Sequence, residues 1–352
     1  MRLLPHSQER PLARWKQTPT DFRVEEIPAY PVSGAGEHLF VEVTRQDMTT
    51  PYLIKQISRE LKISALGIGY AGMKDRCAVA TQWFSLEGIK EIPPPPSIEG
   101  VLDWKILGWH PHKLRRGHLQ GNRFRMMIDL EQKFSDEKFE ELVQAVTHSG
   151  WANYYGQQRF GREGDNHEHG LAKVLGAKGK VPALAVNALQ SHLFNQYLEL
   201  RIRAGGFTRI YAGDVCAHLP EGGMFEVGSQ DDLRHEQQRL EQFETSPTGP
   251  IFGFKMRQAQ GQPGAWEDDV IGESGVELEQ FRRVKAPGSR RRLRLSLGDE
   301  RTAFRWRDLS PPELSGSRFE LSFTLPAGSY ATVLVSHFFQ SAGATHEEEP
   351  ED

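Results

Sequence analysis

RFRMMIDL, residues 123–130, alternates polar and apolar side chains along most of its length. The even-numbered positions, from Phe124 to Leu130, are apolar and fall on one side of an extended chain, because successive strand residues point to opposite faces. The same alternation returns in RFELSFTL, residues 318–325. We therefore predict half-buried antiparallel strands at both places, in one sheet assembled from the beginning and the end of the chain.

The first 150 residues supply more elements of the same kind. One helix is predicted after Thr49 and Thr50, with Pro51 in its first turn. Another is predicted to begin at Ser135 as the N-cap and to stop at Gly150. Short alternating segments predict four further strands, at 22–27, 38–44, 82–86 and 102–108.

The middle of the chain has a different character. A long amphipathic helix is predicted over 183–203, and a charged helical piece over 231–244. The Gly/Pro-rich stretch 245–267 is predicted to be loop and irregular structure. A chain of 352 residues is also longer than one hydrophobic core usually organises, so we expect about two domains.

Composition limits the class of protein. With 38% hydrophobic and 26% charged residues, the chain is expected to be folded and soluble. Its two cysteines, Cys77 and Cys216, exclude a disulfide scaffold and a Cys-ligated structural zinc site. No run of about 18 apolar residues occurs, and Met1–Trp15 is too charged and too broken by proline for a signal peptide. We expect a cytoplasmic protein in a reducing compartment.

The charges are segregated along the chain although the net charge is only -4. The window 113–125 holds five cations and no acid, and the window 282–294 holds seven cations and no acid. Acidic residues crowd the last positions, so 341–352 is predicted to be a disordered tail. Each basic window is compatible either with phosphate contacts or with solvated surface, and the spacing does not decide between them.

Two other patterns are weak candidates for a site. GIGYAG, residues 67–72, fits the dinucleotide-binding pattern G-x-G-x-x-G. It lies between a predicted helix and a predicted strand, which is the reverse of the order that a dinucleotide fold needs, so a nucleotide-dependent oxidoreductase is disfavoured. The histidine pairs 110/112 and 167/169 have neither helical spacing nor a third ligand, and a surface position is predicted for them rather than a metal site.

Asp75 lies between two cations in GMKDRCAVATQ, residues 72–82, at the end of a glycine-rich turn. Opposite charges within reach favour the ionised carboxylate. An ionised aspartate on a loop backed by strands can act as a base, a nucleophile or an electrostatic partner. It can equally cap a turn, and the spacing alone leaves both interpretations open.

At these residues the sequence resembles the TruD family of tRNA pseudouridine synthases, whose motif has the form G-x-K-D-x-x-A-x-T-x-Q around a catalytic aspartate. This sequence departs from the motif at Ala80, where the family usually has threonine. Five more segments are similar to the family and keep its order: TDFRVEE (20–26), GNRF (121–124), NYYGQQRFG (153–161), ALQSHLFNQ (188–196) and LPAGSYAT (325–332).

The resemblance implies an α+β fold: the pseudouridine synthase fold, with a mixed, largely antiparallel central sheet and an inserted α/β domain specific to the family. Residues 1–152 and 298–340 would form the catalytic domain. Residues 153–297 would form the inserted TRUD domain. This agrees with the alternating pattern, which stops near Gly150 and resumes near Arg318.

The resemblance also implies the chemistry, isomerisation of uridine to pseudouridine in tRNA, expected at uridine 13 of the D-arm. No cofactor, metal, membrane or obligate protein partner is expected. The matching positions are the catalytic nucleophile Asp75, its cationic partner Lys16, the nucleotide-holding Asn122, the base-stacking Phe124, and the pocket residues Phe22 and Tyr330.

A second hypothesis is a non-catalytic RNA-binding protein or RNA chaperone on the same fold. The intact Asp75, Asn122 and Phe124 favour the enzyme. In either case the basic window 113–125 leads into Asn122 and Phe124, which predicts phosphate contacts beside the pocket.

Overall fold

The computed structural model describes residues 10–161, 163–182, 184–219, 222–228, 230–298, 302–311 and 313–342. Within those ranges, no helix combines the length and apolar character that crossing a membrane requires.

The helices are α1 (Thr50–Leu61), α2 (Asp136–Ser149), α3 (Asn166–Leu175), α4 (Ala185–Arg203), α5 (Gln230–Glu241), α6 (Gly261–Glu273) and α7 (Ala331–Val335). The strands are β1 (Leu12–Trp15), β2 (Phe22–Pro28), β3 (His38–Gln46), β4 (Ile68–Tyr70), β5 (Val79–Glu87), β6 (Val101–His110), β7 (Leu119–Leu130), β8 (Trp151–Ala152), β9 (Val215–His218), β10 (Met224–Glu226), β11 (Thr245–Ile251), β12 (Ser289–Arg292), β13 (Arg294–Leu295), β14 (Arg305–Asp308), β15 (Ser317–Pro326) and β16 (Gln340–Ser341).

The chain divides into two compact units. Among the described residues, the sheet unit comprises 10–139, 302–331 and 339–342, and the second unit comprises 140–298 and 332–338. The chain passes between the units after Phe139, Gly298, Ala331 and Phe338. The insertion predicted at 153–297 begins later than the second unit does, and its identity as a family-specific domain stays a prediction.

One ten-stranded sheet organises the sheet unit. Its main path runs β14-β15-β7-β2-β5-β3-β6, with β1, β4 and β16 attached at the side. The pairs β2·β5 and β1·β16 are parallel and the other pairs are antiparallel. The predicted mixed, largely antiparallel sheet is therefore confirmed. The two segments that define it are direct neighbours, since Phe124 of β7 lies opposite Phe323 of β15.

The alternation divides this sheet into two faces. The inner face carries buried apolar residues and is covered by helices: Leu53 of α1 packs with Val41, and Phe139 of α2 stacks on Phe319 with ring centroids 5.1 Å apart. The open face carries exposed charged side chains at the odd-numbered positions of β2 and β7. We use the names inner face and open face in this sense below.

Both helix starts predicted in this part of the chain are confirmed. The Thr49 hydroxyl accepts a hydrogen bond from the Tyr52 N–H, and Pro51 lies in the first turn of α1. The Ser135 hydroxyl accepts from the Lys138 N–H at the start of α2. Such caps satisfy N–H groups that have no partner within the helix.

The second unit contains the antiparallel sheet β10-β9-β11-β12 and the helices α3 to α6. The long helix α4 packs on β11 at Gly249, where a Cβ would come within 3.0 Å of Phe194 and Tyr197 side-chain atoms. Arg201 of α4 forms a fully buried ion pair with Asp214, with Nη1 and Oδ1 2.6 Å apart. The predicted helix at 183–203 is confirmed from Ala185 onward.

The prediction of irregular structure over 245–267 is wrong. This stretch contains β11 and the first half of α6. Strand β11 pairs with β9 through Thr245–Pro247 and with β12 through Thr248–Ile251, so each of these residues belongs to one ladder only. A proline, which lacks the N–H of a second ladder, is tolerated there.

The predicted tail, 341–352, is described only at its first two residues. Ser341 pairs with Ala13 in the parallel ladder between β16 and β1, and the Ala342 N–H donates to the Ala13 carbonyl. Residues 343–352 lie outside the described residues.

Candidate active site

A buried arginine supports the loop between β4 and β5, which carries Asp75. Arg45 of β3 is fully buried, and its guanidinium donates to the main-chain carbonyls of Lys74 at 3.2 Å, Asp75 at 3.5 Å and Met48. A planar guanidinium with five N–H donors can bond several carbonyls at once. Arg45 therefore fixes the backbone on both sides of the Asp75 peptide.

Two neutral side chains complete this support. The Thr50 hydroxyl accepts from the Lys74 N–H at 3.1 Å and from Arg45 at 2.9 Å. The Gln82 Nε2 donates to the Gly72 carbonyl at 3.1 Å, and Gln82 Oε1 accepts from Thr50. All three side chains are fully buried. Hydrogen bonds therefore hold the glycine-rich loop at Gly72, Lys74 and Asp75.

Lys16 and Asp75 form the ion pair that the family resemblance implies. The Lys16 Nζ lies 2.5 Å from Asp75 Oδ2 and 4.0 Å from the centroid of the Phe22 ring. Lys16 is buried, whereas the Asp75 side chain is 28% exposed. Lys16 has a left-handed backbone with φ of 56°, a conformation that costs energy for a side chain of this size and is often found at functional sites.

An aromatic row extends from this ion pair across three strands of the inner face. Phe22 of β2 stacks on Phe124 of β7, with centroids 5.8 Å apart, and Phe124 contacts Phe323 of β15 at 5.5 Å. Phe124 is only 7% exposed, so most of its ring packs against protein. Asp75, Lys16, Phe22 and Phe124 are therefore joined by a continuous chain of contacts.

A second ion pair lies next to the first. Lys74 Nζ is 2.5 Å from Glu26 Oε2, and both side chains are almost completely buried. The main-chain N–H of Trp83 also donates to Glu26 Oε1, at 3.4 Å. Gly72 leaves room for this pair, since a Cβ there would lie 3.3 Å from Lys74 Nζ. Buried charges need such partners because an unpaired one is very costly.

Asn122 and Tyr330 lie at the same end of the sheet. Asn122, on the inner face two residues before Phe124, stands opposite Glu26 of β2 and Leu325 of β15. Its Oδ1 is shielded from solvent and has no hydrogen-bond partner among the described residues. Tyr330 is half-buried and follows the turn that ends β15. The ladder between β2 and β7 places Asn122 opposite Glu26, whose carboxylate pairs with Lys74, and Tyr330 follows the end of β15.

Sequence reasoning missed Arg45 as a site residue. A signal was present, because Arg45 occupies the same phase of β3 as Leu39, Val41 and Val43. A cation in the buried phase of a strand needs buried acceptors, and here these include the carbonyls of the loop that carries Asp75.

The competing site patterns find no support. The glycines of 67–72 span a short 3-10 turn, β4 and the loop that follows, and no helix begins there. His167 stacks on His192 with centroids 4.1 Å apart, and burial, together with His167, lowers the pKa of His192. Among the described residues, no group of three or more histidine, cysteine or acidic side chains is arranged to hold a metal ion.

The cations of the first basic window do not share one surface. Arg116 lies beside the site: its guanidinium bonds the Tyr70 hydroxyl at 2.6 Å and approaches the Met73 sulfur at 3.9 Å, two residues before Asp75. Arg123 and Arg125 project from the open face instead, where they pair with Glu25 and Glu320. Arg123 and Arg125 therefore do not share a surface with Phe124, because strand residues alternate in direction, and the phosphate contacts expected of this window stay a prediction.

The second basic window, 282–294, is largely built into the second unit. Arg290 is buried in an ion pair with Glu267, with Nη2 and Oε1 2.7 Å apart. Arg294 donates to the carbonyls of Ser149 and Leu240, and burial lowers its pKa to about 10. These arginines are structural, so the window does not present a continuous cationic surface.

Comparison with known proteins agrees with this architecture. The family model for tRNA pseudouridine synthase D (TruD) matches residues 1–178 and 177–338. The chain belongs to the TruD family. A tRNA pseudouridine synthase D from Anaeromyxobacter sp. (strain Fw109-5) is 35% identical, with 96% of this chain and 95% of the relative covered. A tRNA pseudouridine synthase D from Thermus thermophilus is also 35% identical, with coverage of 95% and 91%.

A solved structure from Methanosarcina mazei shows that the fold of the TruD family is shared. It aligns with a TM-score of 0.73 and 23% identity, and covers 96% of each chain. Family membership makes this chain an enzyme of the isomerase class, one that converts uridine to pseudouridine in tRNA.

Proposed function

We propose that this TruD-family enzyme isomerises uridine 13 of the tRNA D-arm, with Asp75 as the catalytic nucleophile. The target position follows from the family resemblance. The observation that carries the role of Asp75 is its geometry: a partly exposed carboxylate, paired with the buried Lys16, on a loop whose backbone Arg45 fixes. Pre-positioned groups of this kind contribute strongly to catalysis because their orientation is settled before the substrate binds.

The proposed reaction conserves every atom of the nucleotide. The Asp75 carboxylate forms a bond to C1′ as the N1–C1′ bond breaks, and the bonding electron pair leaves with N1. After the uracil has turned, C5 forms a bond to C1′ and the carboxylate leaves. Loss of the proton on C5 and gain of a proton at N1 complete the exchange.

Lys16 has two parts in this scheme. Its ammonium group holds the Asp75 carboxylate in one orientation by a direct 2.5 Å contact. Its position over the Phe22 ring, 4.0 Å from the centroid, fixes the ammonium in turn through a cation–π contact. Lys16 therefore orients Asp75 and balances its charge without contacting the bond that breaks.

The aromatic row supports the base. A target within folded RNA has to be flipped out at a cost of a few kcal/mol, which stacking and backbone contacts offset. Phe22 and Phe124 are the apolar surface nearest to Asp75 along the chain of contacts. Arg116, beside Met73 of the same loop, is placed to contact a phosphate near the flipped nucleotide.

Release of tritium from tRNA labelled at C5 of uridine tests the proposal. We expect release in proportion to pseudouridine formed, at uridine 13 when the product is sequenced. Binding of tRNA without tritium release would instead support the non-catalytic RNA-binding alternative. Release from another position would retain the chemistry and overturn the assignment of the target.

A further inference from the structure

The loop 17–21 connects two residues of the candidate active site. Lys16 precedes the loop and Phe22 follows it, and the Lys16 Nζ lies 4.0 Å from the centroid of the Phe22 ring. Lys16 has a left-handed backbone with φ of 56°, a conformation that a residue with a Cβ keeps only when its surroundings enforce it. The contacts that hold this loop therefore determine where the Lys16 ammonium lies relative to Asp75.

Strand β7 holds the chain on both sides of Lys16. Before Lys16, the buried Trp15 stands opposite Ile128 in the ladder between β1 and β7, on the inner face. After Lys16, the exposed Gln17 donates from Nε2 to Asp129 Oδ2 at 2.8 Å. Asp129 is one of the odd-numbered residues of β7, which point to the open face. The neighbours of Lys16 are therefore attached to opposite faces of the same strand.

Asp21 closes the other end of the loop. The Thr18 N–H and hydroxyl donate to Asp21 Oδ2 at 2.8 and 2.9 Å, and the Asp21 N–H donates to the Thr18 carbonyl at 3.1 Å. Arg318 of β15 lies between two carboxylates, with Nη2 3.6 Å from Asp21 Oδ1 and Nε 3.2 Å from Asp129 Oδ1. These contacts form one network, which we call the loop clamp: Gln17, Asp129, Arg318 and Asp21.

Asp129 is the centre of the loop clamp. Its side chain is 30% exposed, and burial raises its pKa; Arg318 opposes that shift, Asp21 adds to it, and the hydrogen bond from Gln17 opposes it. A carboxylate that is largely withdrawn from water needs partners of this kind, because an unpaired one is costly. The pair between Arg123 and Glu25 on the same face differs, since both of its side chains are more than half exposed.

We infer that the loop clamp is a positioning device for the reaction, which holds Lys16 in its left-handed conformation and so keeps the ammonium against Asp75. This inference rests on the proposed function. Asp129 and Gln17 are positioning residues, because they act through the backbone of Lys16. Release of the clamp would let the ammonium move and the Asp75 carboxylate rotate away from C1′ of the nucleotide.

Two substitutions in the loop clamp test its effect on the reaction. Asp129→Leu removes the acceptor of Gln17 and a partner of Arg318, whereas Gln17→Leu removes the donor at an exposed position, where leucine can be accommodated. We expect each to lower the single-turnover rate by about 10- to 100-fold, the scale of a small misplacement of a reacting group. The Kd for tRNA should stay within about twofold, since phosphate contacts supply most of the affinity. Asp129→Asn keeps an acceptor for Gln17 and should recover most of the rate.

Gln144→Leu is the matched control for Gln17→Leu. Gln144 is an exposed residue of α2, and its Nε2 donates to Glu140 Oε1 at 3.4 Å. The substitution therefore removes the same kind of hydrogen bond at a position outside the loop clamp. We expect the wild-type rate and the wild-type Kd.

Acetylation of lysines with acetic anhydride tests the position of Lys16 independently of the reaction. The side chains of Lys16 and Lys74 are 7% and 4% exposed, and each is paired with a carboxylate, so both should react slowly in the wild type. Gln17→Leu and Asp129→Leu should raise acetylation of Lys16 severalfold, measured by mass spectrometry of its peptide. Acetylation of Lys74 should not change, so Lys74 is the internal reference for general loosening of the fold.

The outcomes separate the loop clamp from the function on which it rests. A wild-type enzyme that releases no tritium from tRNA contradicts the proposed function, and acetylation of Lys16 still tests the clamp. Normal rates in Gln17→Leu and Asp129→Leu, or slow rates with Lys16 as protected as in the wild type, overturn the clamp. A parallel rise in acetylation of Lys16 and Lys74 also overturns it, because that result indicates a general loss of structure rather than a displaced lysine.

Discussion

The two faces of the sheet unit use the same kinds of charged residue in opposite ways. On the inner face, Lys16 and Lys74 are buried, and each has its own carboxylate at 2.5 Å. On the open face, Arg125 and Arg307 share Glu320 while more than half exposed. A buried pair needs one geometry because an unpaired charge is costly there, whereas an exposed pair is screened and contributes little. The proposed chemistry lies on the inner face, so substitutions on the two faces should differ in kind.

The largest effect is expected at Asp75. Asp75→Asn keeps the size of the side chain and removes the proposed nucleophile, so we expect tritium release to fall by more than about 10⁴-fold, as when other nucleophiles are removed. Binding of tRNA should persist. Asp47→Asn is the matched control, since Asp47 pairs with Arg76 of the same loop at 3.4 Å and is exposed. Turnover near the wild-type rate in Asp75→Asn would contradict the assignment.

Arg45 should come next. Arg45→Met leaves the carbonyls of Lys74 and Asp75 without their buried donor, and a small displacement of a catalytic group costs about 10²-fold in rate. We expect kcat to fall while KM for tRNA is unchanged. Arg45→Lys should recover part of kcat, because it restores the charge and a donor. If kcat falls only in proportion to the fraction of folded enzyme, the role of Arg45 is purely structural.

Phe124 tests the aromatic row. Phe124→Leu keeps most of the buried volume and removes the ring, so we expect single-turnover rates to fall by about 10- to 100-fold, equivalent to roughly 1–3 kcal/mol of base stacking. Phe323→Leu is the control, since Phe323 is also buried in the row but lies one strand farther from Phe22 than Phe124 does. Equal losses in both variants would show that the row acts only as core.

The basic window should respond by face. Replacing Arg115 and Arg116 by alanine should weaken tRNA binding and lower the slope of log affinity against log salt by about one to two units, if both contact phosphates. Replacing Arg123 and Arg125 should leave the slope unchanged, because they lie on the open face. The reverse result would place the RNA on the open face and overturn the comparison.

The smallest effect is expected at Glu320. Burial raises the pKa of this carboxyl, but hydrogen bonds from Arg307 and Arg125 outweigh burial and lower the pKa below its ordinary value. The carboxylate therefore stabilises the folded state above its ordinary pKa, and that stability is lost as the pH falls through the lowered value. Glu320→Gln should lower the unfolding free energy at pH 7 by about 1 kcal/mol or less, and the difference should vanish in acid. A difference that grows in acid would contradict this sign.

The sheet could be predicted from the sequence because alternating polar and apolar residues, as in β7 and β15, indicate strands with one buried face. The site could be predicted only in part. Asp75 and Lys16 are 59 residues apart, and no local rule joins them; the family resemblance did. The basic window does not by itself identify a surface, because neighbouring residues of a strand point to opposite faces. The strand β11 was missed because its prolines indicate a loop. Each of its residues belongs to one ladder only, and this arrangement depends on tertiary partners.

A pseudouridine map of tRNA from cells lacking this protein, complemented with wild type or with Asp75→Asn, tests the central claim most directly. We expect pseudouridine at position 13 to disappear in the deletion, to return with wild type and not to return with Asp75→Asn. Pseudouridine that persists at position 13 in the deletion, or that Asp75→Asn restores, would contradict it.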